Sequence, residues 1–376
     1  MRIAYLCKRQ YMGHDVIADR YARLYEQPRQ LAMRGHTVLG LCLSYRRTDA
    51  RNEVHQAGAG SLRWVGLTPG AVGAAGLVTY PQRGLGVLRN FRPDLLVGAS
   101  DAPHIVLGNW LARRLAVPFA ADLYDHFESF GLSRLPGIVP LYRRALRDAA
   151  VVTCVSEPLA ELVRHDYGAR GTVFALPSTI DRTLFRPRDR AACRAQLGLP
   201  QEARLIGTAG GLSREKGIEP LYRAFERLAA VDSALHLVVA GPLDPKCPPP
   251  ADPRVHNLGM LPHAQTAELF SAFDVGVVYL RDTPYGRYSF PQKAYEMAAC
   301  GIPLAVARVG AMARLFQDCP QALYEPDDAA SLADCLAKQL ARPQVADLQI
   351  PDWAELAGRM EQAYLTCAAR SARSPA

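Results

Sequence analysis

Short, continuously apolar runs recur along the chain, and amphipathic stretches of helical length separate them. Runs such as Met1–Cys7, Thr37–Leu43, Phe119–Leu123 and Leu235–Ala240 show no polar alternation, so both faces of each strand must be covered. Strands of that kind, spaced by helices, can close a core only as parallel sheets flanked by helices. Asp94–Val97, Ala150–Val155, Arg204–Gly207, Val255–Leu258 and Val275–Tyr279 read as further strands. Helices are expected over Asp19–Met33, His104–Leu115, Arg188–Leu197, Pro220–Val231, Ala264–Phe273 and Lys293–Cys300, and after a Ser156 cap. Arg51–Gly60, polar and glycine-bearing, reads as a loop. The expected class is α/β.

Length divides this pattern. At 376 residues the chain exceeds what one core usually supports, and the turn-rich stretch Pro177–Pro187 marks a natural break. Two α/β domains of similar size are expected, 1–182 and 183–351. A helix is expected at about 352–368, and 369–376 as a disordered tail.

With 49% hydrophobic residues the chain is not disordered, and no apolar run reaches the roughly 18 residues of a membrane span. Met1–Cys7 is too short for an export signal, and nine scattered cysteines without a C-x-x-C pair read as reduced thiols. The expectation is a cytoplasmic protein. Its net charge of +8 fits attraction to anionic lipid or phosphorylated substrates, and no nucleic-acid-binding motif accompanies it. The basic residues are mostly arginine. Lysine stands only at Lys8, Lys216, Lys246, Lys293 and Lys338.

Two segments carry chemistry. Gly207-Thr-Ala-Gly-Gly-Leu-Ser-Arg-Glu-Lys-Gly217 lies between an expected strand and a helix start. Backbone N–H groups and the helix dipole there make an anion site, or the glycines only permit a turn. It does not match the Walker pattern. In Tyr285–Pro303, Pro291 suits a helix start and Gly301 its stop, so Glu296 falls in the early turns. A carboxylate there can accept two hydrogen bonds from vicinal hydroxyls, or simply be a solvated helix residue.

These residues resemble the nucleotide-sugar glycosyltransferases of family 4. The G-x-L-x-x-x-K-G and P-x-K-x-x-E-x-x-A-x-G-x-P segments carry the likeness. Leu31–Val38, Leu176–Asp181 with Phe185 and Pro187, Val255–Gly259 and Phe273–Val275 extend it over almost the whole chain. The resemblance implies the GT-B fold, two Rossmann-like domains facing across a cleft, with the donor held mainly by the second and the last helix, at about 352–368, crossing back to the first. It also implies a retaining enzyme that transfers a sugar from a nucleoside-diphosphate sugar, with no cofactor or metal. The expected acceptor is a glycan or lipid-linked molecule in polysaccharide or lipopolysaccharide assembly.

Residue roles follow from the same resemblance. Lys216 would neutralise the departing diphosphate, with Lys293 on the sugar or phosphate side and Glu296 holding the ribose. Gly13 would approach the phosphates from the first domain, and Gly210, Gly211 and Arg214 belong to the glycine-rich loop. Two positions depart from the pattern. Tyr288 replaces the first glutamate of the E-x7-E motif, and Gly211 stands where many members carry arginine. The lost sugar contact would come from Tyr288 or from the backbone near Ser289 and Phe290. On the acceptor side Asp125 and His126 are the candidate proton acceptors, although Asp125 could instead cap a turn. A nucleotide-sugar epimerase and a catalytically silent nucleotide binder are the alternatives. Ile138, Leu141, Tyr142, Ala145 and Leu146, beside Arg143, Arg144 and Arg147, fit either a bilayer surface or packing on the sheet.

Overall fold

The computed structural model describes residues 1–11, 13–20, 22–45, 49–69, 76–129 and 131–373, with side chains to 370. The chain forms two compact units, one of Met1–Ser178 with Pro351–Ala376 and one of Thr179–Ile350.

The first unit runs β1 (Arg2–Lys8), β2 (Gln10–Tyr11), β3 (His14–Asp15), α1 (Ala22–Met33), β4 (Thr37–Leu43), β5 (Arg51–His55), β6 (Ser61–Leu67), α2 (Tyr80–Phe91) and β7 (Leu95–Ala99). It continues through α3 (Ala102–Leu115), β8 (Phe119–Leu123), α4 (Ile138–Asp148), β9 (Val151–Cys154), α5 (Glu157–His165) and β10 (Thr172–Ala175). Among the described residues eight strands form one sheet, in the order β10-β9-β8-β7-β1-β4-β6-β5. All pairs are parallel except β5–β6. The apolar runs sit where both faces are covered, and β1, β7 and β8 have fully buried interiors.

The expected loop at Arg51–Gly60 contains β5 instead. It is the sheet edge, paired on one side only, and its polar residues suit an exposed edge. Ser156 caps α5 as expected, its Oγ accepting the Leu159 N–H at 3.2 Å.

The second unit runs α6 (Arg190–Gln196), β11 (Arg204–Ala209), α7 (Glu219–Ala229), β12 (Leu235–Ala240), β13 (Val255–Asn257), α8 (His263–Ala272) and β14 (Val275–Val278). Then come α9 (Pro284–Tyr288), α10 (Lys293–Ala299), β15 (Leu304–Ala307), α11 (Gly310–Leu315), β16 (Leu323–Tyr324) and α12 (Ala329–Ala341). Its sheet has the order β13-β12-β11-β14-β15-β16, all parallel. Helix α10 starts at Lys293, so Pro291 lies just before it rather than in its first turn, and Glu296 remains in that turn. Gly301 ends the helix at φ +75°.

The last helix, α13 (Trp353–Arg373), belongs to the first unit. Leu356, Met360 and Tyr364 enter that unit's core, and Glu361 bridges Arg34 and His36. Helical backbone therefore occupies 369–373, where a disordered tail was expected, and 374–376 lie outside the described residues. Among the described residues no helix is long and apolar enough to cross a membrane.

Candidate active site

In the second sheet the chain leaves β11 toward β12 on one side, while β14 flanks it on the other. Strand order reverses there, and in open parallel sheets the crevice beyond the strand ends at such a point is where ligands bind. The glycine-rich segment occupies it. Gly210 turns at φ +112°, which a side chain rarely adopts, and Gly241 lies so close that a Cβ there would sit 2.2 Å from the Gly210 carbonyl oxygen. The chain then passes through a 3₁₀ turn, Arg214–Lys216, and Gly217 before α7 begins.

Two ammonium groups converge on this turn. A Cβ on Gly211 would lie 2.8 Å from Lys216 Nζ, and one on Gly210 would lie 3.7 Å from Lys293 Nζ. Lys293 Nζ donates to Thr208 Oγ1 at 3.4 Å and stands 4.4 Å from the centre of the Tyr279 ring. Thr208 in turn donates to the Val277 carbonyl, and the Tyr279 hydroxyl donates to the Gly211 carbonyl at 2.7 Å. Among the described residues neither lysine forms an ion pair with a carboxylate. Burial of the ammonium, helped by the positive charge of Lys216, pulls the Lys293 pKa down to about 7. Two crowded cations beside exposed backbone and a helix start make a local positive potential, the electrostatics that attract a multiply charged anion.

Glu296 lies one turn beyond Lys293 on α10. It accepts from Gln292 Nε2 at 3.3 Å, and His263 Nε2 stands 3.9 Å from its Oε1. The Glu296 carboxylate raises the His263 pKa. The His263 ring also packs edge-on against Phe185, 5.1 Å between centres.

The remaining expected donor residues are placed differently. Arg214 is exposed and pairs with Glu219 at 3.0 Å, so its guanidinium is tied along α7 rather than to the glycines. Tyr288 ends α9. Ser289 is buried, its N–H donates to the Tyr285 carbonyl at 3.0 Å and its hydroxyl turns toward Gly286. The expected contact from the Ser289 amide is thus taken up by helix closure. Phe290 packs at a tilt against Tyr295, 4.9 Å between ring centres, at the margin of the core.

In the first unit the reversal falls between β1 and β7. Gly13 is exposed at φ +87° between the short strands β2 and β3. Asp125 follows β8, is partly exposed, and accepts the His126 N–H at 2.8 Å. His126 is buried. Its Nδ1 meets Ser129 Oγ at 2.6 Å and its Nε2 meets the Tyr167 hydroxyl at 3.3 Å, and burial lowers its pKa. The 3₁₀ turn Phe127–Ser129 rotates this ring into the domain wall, against the expectation that it could take a proton.

Sequence reasoning missed Thr208, Tyr279 and His263 in the second unit. In the first unit it missed a group around Ser100, whose φ of +83° is unusual for a side-chain-bearing residue. Ser100 Oγ accepts the Lys8 N–H at 2.9 Å, and Lys8 Nζ reaches the Tyr124 hydroxyl at 3.1 Å. Asp101 caps α3 and holds His104 Nδ1 at 2.6 Å. The rarity of lysine was the available signal for Lys8.

Parallel sheets in two units, with a glycine-rich turn and two lysines at the switch point of the second, define an α/β protein of Rossmann-like build. Two family models match it, glycosyl transferases group 1 over residues 203–342 and the glycosyl transferase 4-like domain over residues 22–178. The chain belongs to this glycosyltransferase family. It is 26% identical over 321 residues to TuaC of Bacillus subtilis, named as a candidate teichuronic acid biosynthesis glycosyltransferase. That match covers 81% of this chain and 78% of that protein. It is 30% identical over 259 residues to a D-inositol 3-phosphate glycosyltransferase of Catenulispora acidiphila, covering 60% of each chain. Among solved structures, sucrose-phosphate synthase of Thermosynechococcus elongatus superposes with a TM-score of 0.68 at 19% identity, over 99% of this chain and 97% of that one. HepE of Anabaena, in complex with UDP and glucose, gives 0.67 at 17% identity over 99% and 98%. The fold is GT-B.

Proposed function

We propose that this glycosyltransferase takes its sugar from a nucleoside-diphosphate sugar and delivers it, with retention, to a glycan or lipid-linked acceptor in cell-surface polysaccharide or lipopolysaccharide assembly. The observation that carries the donor reading is the convergence of Lys216 and Lys293 on the Gly210–Gly211 turn. Two adjacent cations that form no ion pair with a carboxylate among the described residues are costly unless a diphosphate answers them. Glu296, one helical turn away, is spaced to accept the hydroxyls of the attached ribose. The solved complexes of HepE with UDP and with UDP-glucose support a donor of this class. The name of TuaC supports a cell-surface acceptor.

In this reading the bond from the anomeric carbon to the β-phosphate oxygen breaks as the acceptor oxygen bonds to the same sugar face. The acceptor's proton passes to the departing phosphate or to Asp125. The lysines stabilise the charge that gathers on the leaving group, a task a divalent ion performs elsewhere. We therefore expect no metal requirement and a cytoplasmic site of action, where nucleotide sugars are made.

The test is a thermal-shift screen of nucleoside diphosphates and their sugars, followed by incubation of the stabilising donor with an acceptor panel in EDTA. Release of the nucleoside diphosphate with an α-configured product from an α-configured donor is expected. Binding without release across the panel would favour a second reading, a silent nucleotide binder. Tyr288 in place of glutamate and the engaged Ser289 amide give that reading its support. No binding of any nucleoside diphosphate would overturn both.

A further inference from the structure

The apolar stripe on α4 divides. Tyr142, Ala145 and Leu146 are buried against the first unit's own layers, while Ile138 and Leu141 open outward. There they meet Val106, Leu107 and Trp110 of α3, with Val78 and Pro81 at the start of α2, and line a groove of about 610 Å³. Leu141 is 49% exposed and Val78 81% exposed, and Leu132 in the 3₁₀ turn beside α3 and α4, with Leu135 just after it, adds further exposed apolar surface. A contiguous apolar patch of this kind on one face of a domain is an interaction surface.

Its charge says what it meets. No carboxylate lines the groove among the described residues, whereas Arg113 and Arg144 do. Arg114 lies over the Trp110 ring at 4.8 Å, an amphipathic pair suited to a membrane–water boundary. Arg144 is 61% exposed, with Asp148 no nearer than 4.0 Å. Arg143 differs, since it is clamped by Glu128 at 2.8 and 2.6 Å and stacked on Tyr167. Its side chain is still exposed, but Glu128 answers its charge, so it adds no net positive charge to the rim.

We propose that this groove, flanked by Arg113, Arg114 and Arg144, is where the first unit docks on an anionic phospholipid bilayer. Lipid tails and interfacial methylenes cover Leu141, Val78, Ile138 and Trp110, and headgroup phosphates meet the arginines. The surface stands on its own residues, none of which belongs to the donor site, so it holds or fails independently of the donor reading.

The full-length protein is sedimented with vesicles of phosphatidylcholine alone and of phosphatidylcholine with phosphatidylglycerol, at low and high salt. Wild type should bind the anionic vesicles, and a fraction should persist in high salt because the apolar contact is not screened. Leu141→Asp should weaken binding about tenfold or more and remove the salt-resistant fraction. The Arg113→Ser/Arg144→Ser variant should lose the preference for anionic lipid, and Arg143→Ser should bind as wild type. Brominated lipid should quench fluorescence in wild type more than in Trp110→Phe. A cooperative thermal unfolding transition close to that of wild type reports that Leu141→Asp is folded. Vesicle binding equal in wild type and Leu141→Asp would overturn the proposal, as would binding abolished entirely by salt. A dimer that Leu141→Asp dissociates, without vesicle binding by wild type, would assign the groove to a second copy of the chain and also overturn it.

Discussion

His263 Nε2 stands 3.9 Å from Glu296 Oε1, on two different helices and more than thirty positions apart in the sequence. The carboxylate raises the imidazole pKa, so the pair is ionic at low pH and merely polar at high pH. Ribose hydroxyls and the imidazolium would compete for the same oxygens. Glu296→Ala should weaken binding of a nucleoside diphosphate by about 1.5–3 kcal/mol, the range for a charge-assisted hydrogen bond lost. Calorimetry showing unchanged affinity would remove Glu296 from the ribose site.

The same pair makes a stability prediction with a fixed sign. His263 has a raised folded-state pKa, so its contribution is full below the ordinary histidine value of about 6.5 and is lost as pH rises through the folded value. His263→Gln should therefore lower the melting temperature more at pH 5.5 than at pH 8. A gap that widens toward pH 8 instead would mean that Glu296 is not its partner.

Lys293 titrates in the opposite sense. Its pKa of about 7 lies far below that of an unfolded lysine, so the folded protein gains stability as pH climbs from about 7 to 10. Lys293→Met should raise the melting temperature of the ligand-free protein at pH 7, with a smaller gain at pH 9.5, while weakening diphosphate binding. A diphosphate should also draw a proton onto Lys293 at pH 8. Calorimetric binding enthalpies measured in phosphate and in Tris buffer should then differ for wild type and agree for Lys293→Met.

These residues show where sequence reading succeeds and where it stops. β1, β4, β8 and β12 were legible because strands covered on both faces must be apolar throughout. β5 was not, because an edge strand has solvent on one side and its Arg51, Asn52 and Glu53 look like loop residues. Lys216 and Lys293 stood out against an arginine background. Thr208 and Tyr279 did not, because they lie on or just past strands whose side chains read as core. His126 was misjudged because a 3₁₀ turn sets its orientation, and no periodicity encodes that rotation.

Lys216→Ala should lower turnover more than it weakens binding of the nucleoside alone. Its ammonium leans over Gly211, and the charge it answers grows only as the leaving group departs. Comparing kcat with the dissociation constants of nucleoside and nucleoside diphosphate checks this. Equal losses for the two ligands would place Lys216 away from the phosphates.

The first unit contains a buried ion pair whose removal should be costly in one direction only. Arg23 is 1% exposed and Asp122 fully buried, joined by Nε–Oδ2 and Nη2–Oδ1 contacts of 3.0 and 2.6 Å. Arg23 Nη1 also donates to the Leu176 carbonyl at 2.6 Å, two residues before the chain passes into the second unit. Gln27 and Thr153 add bonds to the same carboxylate oxygen, at 3.2 and 2.6 Å. Arg23→Met leaves that carboxylate without its counter-ion and should destabilise the first unit by about 3–5 kcal/mol. Arg23→Met with Asp122→Leu removes both charges, and most of the loss should return because the desolvation cost disappears with them. Urea unfolding followed by tryptophan fluorescence measures both, with Trp64 buried in the same unit as reporter. If the double variant proves as unstable as the single one, the pair's role is to anchor Leu176, and the loss of that carbonyl contact accounts for the cost.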